Sequence, residues 1–454
     1  MPKRLIVIGG VAAGMSAAAK AKRVDREMEA LVYERGPHIS YGACGMPYYI
    51  AGDVADYRAL IARTPERMAK QGVAVHLRHE VTAIDPAART VTVRDLERER
   101  AFTQGYDELV IATGARPFAP ALPGADLAGV FALRSLEEGR ALRRFVAGDE
   151  DLGLQRAIVL GGGYIGVEMA ETFRRLGLAV KMVIRSGQVM RTTLDEDVRA
   201  LVEEELARHE IEVVRGRPMA FEGGGRLEAV LVEGDDGAER YACDVALVSI
   251  GVRPEVGLAR EAGVALGATG AIATDVHMRT NVAGVYAAGD CAEVFHLVTG
   301  EPAYIPLGST ANKQGRVAGT NVAGGEATFG GVVGTMVTRV FDLAVACTGL
   351  TAAQAQALGY AVRAPMIKAM DRPHYFPGSA PIHIKLVVDD ASERLLGGQI
   401  VGRHGVAKRV DVLATALHHG LTVADVQRLD LSYAPPFAPV WDPLLVAANV
   451  AAKG

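Results

Sequence analysis

The sequence has few cysteines, no long apolar run and no block of a single charge sign. Its 454 residues contain four cysteines. None is spaced as Cys-x-x-Cys, which excludes a disulfide framework and a cysteine-rich zinc site and points to a reducing compartment. No metal site is expected. The 49 Lys+Arg and 53 Asp+Glu leave a net charge of -4. No basic stripe is present to hold nucleic acid or another polyanion, so small ligands are expected. The apolar start Leu5-Ile6-Val7-Ile8 is broken by Gly9 and Gly10. That is too short for a signal segment, and no later stretch reaches membrane-spanning length. The expectation is a soluble, cytoplasmic chain.

What the sequence does have is glycine turns in a telling context. Hydrophobic residues make up 50% of the chain and charged residues 22%, enough to build cores for about three domains. Residues 4–8 read as a strand that breaks into Gly9-Gly10-Val11-Ala12-Ala13-Gly14, followed by a small-residue helix from Met15 to about Val24. A strand, a glycine turn and a helix N-terminus together offer backbone N–H groups to a pyrophosphate. The next apolar run ends at Glu34, twenty residues after Gly14, where a carboxylate accepts from a ribose diol. The pattern departs from G-x-G-x-x-G at Val11. Residues 157–160 lead into a full match, Gly161-Gly162-Gly163-Tyr164-Ile165-Gly166. Two such units predict two dinucleotides, one held permanently and one exchanging.

In the second unit the position equivalent to Glu34 is Arg185, which suits a 2′-phosphate. Arg191 offers a second contact, so NADPH is favoured over NADH. Apolar residues 109–111 run into Ala112-Thr113-Gly114, and Arg116-Pro117 with Pro120 to Pro123 reads as a linker. Residues 280–290 read as a strand ending in Asp290, a carboxylate that needs partners such as ribityl hydroxyls. Beyond residue 331 short strands alternate with helices, and no glycine fingerprint recurs. The aromatic tail Tyr433-Ala434-Pro435-Pro436-Phe437 predicts a packing surface, a partner subunit being one candidate.

One cysteine stands apart. Cys44 sits in Ser40-Tyr41-Gly42-Ala43-Cys44-Gly45-Met46-Pro47-Tyr48, shortly after the first unit, and the next cysteine is Cys243. Any disulfide it forms is therefore with a small molecule. An isolated cysteine is ordinarily inert packing, and Cys243, Cys291 and Cys347 are read that way.

These motifs, with Ala288-Gly289-Asp290 and Glu168 after the second turn, run in order over nearly the whole chain. It resembles the pyridine nucleotide-disulfide oxidoreductase family, and within it the single-cysteine branch of coenzyme A disulfide reductases. The resemblance implies an α/β fold with two Rossmann-like domains and a C-terminal α+β dimerisation domain. FAD would occupy residues 1–114 and 252–326, NAD(P)H residues 115–251, and the homodimer would form through 331–454. FAD would be held by Gly9, Gly10, Gly14, Glu34, Arg35, Thr113, Gly114, Asp290 and Ala311. NAD(P)H would be held by Gly161, Gly163, Tyr164, Gly166, Arg185, Arg191 and Gly251, with Tyr164 as a gate.

By the same resemblance, electrons pass from NAD(P)H through FAD to Cys44, which forms a mixed disulfide with CoA. Tyr375 and Tyr433 would reach from the other subunit toward the CoA thiol. Lys20, Arg23 and Ser40 would meet CoA, the first two sharing a helix face. Related oxidases and peroxidases carry a histidine where this sequence has Ala12, which removes their acid–base partner. Fused persulfide reductases add a rhodanese domain after the tail, whereas this sequence stops at Gly454. CoA disulfide is the first expectation, with CoA persulfide or polysulfide, or oxygen, as alternative acceptors and a non-enzymatic flavin redox sensor as a further alternative.

Overall fold

Burial on both faces explains the first sheet. Leu5 to Ile8 and Leu109 to Ile111 are at most 5% exposed, the pattern of interior parallel strands. A computed structural model describes residues 2–118, 121–148 and 152–453; Pro120 of the expected linker lies outside them. Five parallel strands stand in the order Val285–Ala287, Glu108–Ile111, Arg4–Ile8, Glu29–Glu34, Val73–Leu77. The helix Ala12–Val24 packs against Gly308–Val322. Small residues let the two backbones meet closely: a Cβ at Gly319 would lie 2.2 Å from the Ala17 carbonyl oxygen.

A second parallel sheet runs Glu212–Arg215, Ala179–Ile184, Arg156–Leu160, Val245–Val248, Val130–Ala132. The chain enters this unit along Ala115–Pro117 and leaves along Val252–Pro254, which pair as an antiparallel ribbon. Residues 115–117 are thus a short strand rather than a free linker. Pro117 is tolerated because the ribbon has only two strands, both of them edges. Each parallel sheet carries a three-stranded antiparallel meander, His79–Asp85 to Arg100–Gly105 and Arg217–Glu222 to Gly237–Ala242. The expected strand over 280–290 shrinks to Val285–Ala287. Before it the chain turns through Gly284 at φ +76°, with the Thr280 hydroxyl donating to the Val285 carbonyl at 2.8 Å.

The third unit is an antiparallel sheet, Met336–Val340, Leu343–Gly349, Leu395–Gly402, Pro381–Asp389, with Val362–Arg363 and Met366–Met370 at its edge. Helices Val406–His418 and Pro443–Ala451 cover it. The buried Arg409 donates to Asp442 at 3.0 Å and to the Asp371 carbonyl at 3.1 Å. This pair pins the tail while Phe437, Val440 and Trp441 remain exposed.

Acids of the second unit clasp the third. Asp195 accepts from Gln399 Nε2 at 2.7 Å and from the Ala352 N–H at 3.0 Å. Glu171 accepts from Arg339 at 2.9 Å and from the Phe341 N–H at 2.8 Å. These charged hydrogen bonds are worth roughly 1.5–3 kcal/mol each, so the two units meet along a fixed contact. Among the described residues no helix is long and apolar enough to cross a membrane, and no cluster of metal-ligating side chains occurs.

Candidate active site

The two glycine turns share one construction. Gly9 and Gly161 have φ of +101° and +112°, and a Cβ there would lie 2.3 Å from the Ala112 oxygen and 2.4 Å from the Ser249 oxygen. Only glycine suits such a turn. At the third glycine of each unit, a Cβ on Gly14 would lie 1.9 Å from the Gly9 oxygen, and one on Gly166 would lie 2.3 Å from the Gly161 oxygen. Gly14 and Gly166 are buried and bring each helix tight against its own turn, whereas Gly9, Gly10, Gly161 and Gly163 line a cleft.

That cleft, about 2120 Å³, is continuous from one turn to the other and includes Cys44. The helices Ala12–Val24, Tyr164–Arg175 and Gly308–Val322 have no side-chain cap and no acid in their first turns. By contrast, Leu136–Ala147, Ala352–Ala357 and Val423–Gln427 are closed by capping boxes. Uncapped N–H groups facing a cavity are a donor set for phosphate oxygens. The residues present therefore fit a dinucleotide at each turn.

The expected contacts distribute as follows. Glu34, Arg35, Thr113, Gly114, Asp290 and Ala311 line the first half of the cleft, and Tyr164, Arg185, Arg191 and Gly251 the second. Glu34 accepts from the Gly10 N–H at 2.6 Å and the Gly36 N–H at 2.7 Å, which fixes the carboxylate at the end of its strand. Arg185 and Arg191 are exposed and have no ion-pair partner among the described residues. Arg134, which sequence reasoning missed, crosses from the second unit to donate to Asp290 at 2.9 Å. Its only signal was a cation just before the capping-box serine, Ser135.

Cys44 is the one exposed thiol of the four. It sits on the single turn Ala43–Gly45 that leads into Met46–Ala51. Ser40, at φ +48°, holds this loop in place: its N–H donates to the Gly10 carbonyl at 2.9 Å, and its own carbonyl accepts from Ala62 at 2.8 Å. Burial raises the Cys44 thiol pKa, and the Glu168 carboxylate adds to the rise. Cys243, Cys291 and Cys347 are buried, as expected for inert thiols. Cys347 still borders the cleft, with its Sγ 3.5 Å from the Tyr164 hydroxyl, and burial lifts it to about 11.

Besides Gly14 and Gly166, five expected residues stand outside the cleft lining. Lys20 and Arg23 lie on the helix Ala12–Val24, where Arg23 donates to the Ala19 carbonyl at 3.0 Å. Ser40 lies behind the Cys44 loop. Tyr375 and Tyr433 are 64% and 48% exposed, and the neighbouring Tyr433 raises the Tyr375 phenol.

Residues 3–325 match the family model for pyridine nucleotide-disulphide oxidoreductases, and residues 335–443 match that family's dimerisation domain. The chain is 40% identical over 450 residues to the NAD(P)H coenzyme A polysulfide/persulfide reductase of Pyrococcus horikoshii, covering 99% of this chain and 98% of that one. It is 28% identical to a coenzyme A disulfide reductase of Staphylococcus aureus, covering 96% and 97%. The solved NAD-dependent persulfide reductase from A. fulgidus superposes with a TM-score of 0.95 at 37% identity, covering 99% of this chain and 83% of that one. With two adjoining family models matched across most of its length, the chain belongs to the pyridine nucleotide-disulphide oxidoreductase family, NAD(P)H-dependent flavoprotein enzymes.

Proposed function

We propose that this enzyme uses NAD(P)H to reduce the sulfur–sulfur bond of a coenzyme A persulfide or polysulfide through Cys44 alone. The carrying observation is that the only exposed thiol stands on the wall of a cleft shared by both dinucleotide turns. A flavin bound at the first turn supplies the two-electron relay between nicotinamide and sulfur. Residues 1–114 and 252–326 hold it through the uncapped helix ends, Glu34, Arg35 and Asp290. Residues 115–251 hold the pyridine nucleotide. Cys44 as thiolate attacks a substrate sulfur, the S–S bond breaks, and Cys44 keeps one sulfur partner as a mixed disulfide or persulfide.

The sequence put CoA disulfide first. The relative named for persulfide and polysulfide is 40% identical, against 28% for the one named for CoA disulfide, and this supports persulfide as the leading acceptor with disulfide second. Oxygen is disfavoured by Ala12, which offers no proton to a peroxide. Arg185 and Arg191 support NADPH, since two unpaired guanidinium groups suit a 2′-phosphate. A homodimer built on residues 331–454 would carry Tyr375 and Tyr433 to the cleft of the partner subunit, and Lys20, Arg23 and Ser40 would meet the CoA nucleotide outside the cleft.

The test is NADPH consumption under argon by the flavin-loaded enzyme, with CoA persulfide, CoA disulfide or no acceptor, in wild type and Cys44→Ser. Turnover with persulfide that exceeds turnover with disulfide, and that disappears in Cys44→Ser, supports the reading. Turnover in air alone, or persulfide turnover surviving the substitution, overturns it.

A further inference from the structure

Of the two cations assigned to a 2′-phosphate, only one is placed by the sheet. Arg185 follows directly on the strand Ala179–Ile184. Arg191 lies six residues further on, in a segment without helix or strand between Ile184 and Glu196. An exposed arginine on such a segment loses much freedom when it grips a phosphate, unless the backbone on either side is already fixed.

Here it is fixed on both sides. Before Arg191, Met190 is buried and holds a left-handed backbone at φ +49°, uncommon for a residue with a side chain. Its N–H donates to the Gly162 carbonyl at 2.6 Å, which ties this corner to the second glycine turn. After Arg191, the third unit takes hold. The Gln354 side-chain nitrogen donates to the Thr192 carbonyl at 3.1 Å. The oxygen of the same amide accepts from the Thr351 N–H at 2.9 Å, closing the capping box of Ala352–Ala357. That box needs only the oxygen, and a glutamate would serve it equally; the nitrogen is directed at the coenzyme segment. Further along, the buried Asp195 accepts from the Ala352 and Ala353 N–H groups at 3.0 and 3.3 Å. Its own N–H donates to Gln399 at 2.7 Å, and Lys385, 3.5 Å away, offsets its charge. Arg191, Thr192, Thr351, Gln354 and Gln399 all border the cleft.

We propose that the third unit sets coenzyme choice within its own chain: Gln354 is a positioning residue that fixes Thr192 and thereby holds Arg191 ready for a 2′-phosphate. This rests on the reading of Arg185 and Arg191 given above. A phosphate that meets a preset guanidinium keeps more of the pairing energy than one that must first order a loose segment. Adenosine and pyrophosphate are left to the glycine turn, so the effect falls on the 2′-phosphate alone.

The experiment measures binding of NADP⁺ and NAD⁺ to the oxidised, flavin-loaded enzyme by calorimetry, in wild type, Gln354→Leu and Ala352→Pro. Gln354→Leu removes the donor to Thr192. It is expected to cut the preference for NADP⁺ by about tenfold, the weight of one hydrogen bond to a charged group, with NAD⁺ binding unchanged. Ala352→Pro removes an N–H that bonds Asp195, at a first-turn position where proline suits a helix, and the same loss of preference is expected. Amide hydrogen exchange over residues 186–195 should quicken in both variants. A wild-type preference that survives both substitutions overturns the proposal. Equal weakening of both nucleotides also overturns it, since the contact would then support the whole site rather than the 2′-phosphate. If Gln354→Leu does not retain flavin, Ala352→Pro decides. A wild type that binds NADP⁺ no more tightly than NAD⁺ defeats the 2′-phosphate reading itself, so the wild-type measurement tells the two failures apart.

Discussion

The two glycine turns are built on the same frame and differ where a ligand would touch them. Both have a left-handed first glycine under a neighbouring carbonyl and a third glycine under the carbonyl of the first. At the middle position the first turn has Val11, whereas at Gly163 of the second turn a Cβ would meet nothing within 4 Å. The strand that follows ends in Glu34, already bonded to two backbone N–H groups, in one unit. In the other it ends at Ile184, and the exposed Arg185 follows. The frame is what folding requires, and the variable positions set what is held and how tightly. A closed, internally bonded turn suits a resident group, and an open turn with free cations suits one that comes and goes.

The sharpest way to break this comparison is to damage each frame separately. Gly14→Ala drives a methyl group onto a backbone oxygen, a collision worth upward of about 3 kcal/mol. It is expected to yield protein without flavin, read from the visible absorbance per chain. Gly166→Ala should keep the flavin and lose its reduction by NADPH, read by anaerobic titration. If both variants lose flavin equally, the two turns do not have separate roles.

Next in size is Arg185→Asp, expected to shift the ratio of kcat/KM for NADPH over NADH by about 10²-fold toward NADH. An unmoved ratio would remove the cation from coenzyme choice. Glu34→Gln should weaken two charge-assisted hydrogen bonds, for a loss of about 2 kcal/mol, visible as a lower unfolding midpoint together with easier flavin release. Smallest is Gly163→Ala, whose methyl has open space. Thermal stability should change by less than about 0.5 kcal/mol while KM for NADPH rises, because the backbone can no longer approach the pyrophosphate.

The turns meet at Cys44, and pH sharpens the picture there. Burial and Glu168 both raise the thiol, so the thiolate is scarce at neutral pH. Alkylation of the reduced enzyme should therefore rise through a midpoint above the ordinary thiol value of about 8.5. A midpoint below it would mean that positive charge outweighs burial at this loop.

Much of this architecture was legible because it is written in short-range rules. Strand, glycine turn and helix follow each other within twenty residues at both units, and Cys44 stood out by its neighbours. The meander over 79–105 was missed because its strands are half exposed and give no strong apolar run. Arg134 was missed because its meaning lies in Asp290, 156 positions away. Asp442 follows the aromatic tail without any local signal of its own, yet it is buried against Arg409, a pairing that no local pattern encodes. Likewise, Lys20 and Arg23 share a helix face as expected, but the spacing could not say that this face lies away from the cleft lining.

The ribbon at Ala115–Pro117 and Val252–Pro254 means that one domain interrupts another, and this sets an order of assembly. The strand Glu108–Ile111 must pair with Val285–Ala287, yet everything between them is synthesised first. The first sheet therefore stays one strand short, with an open hydrogen-bonding edge, until the interrupting domain has folded and brought its exit beside its entrance. Such non-local pairing is slow and exposes an aggregation-prone edge. Variants that delay the inner domain should reduce soluble yield at synthesis even where the finished enzyme is as stable as the wild type.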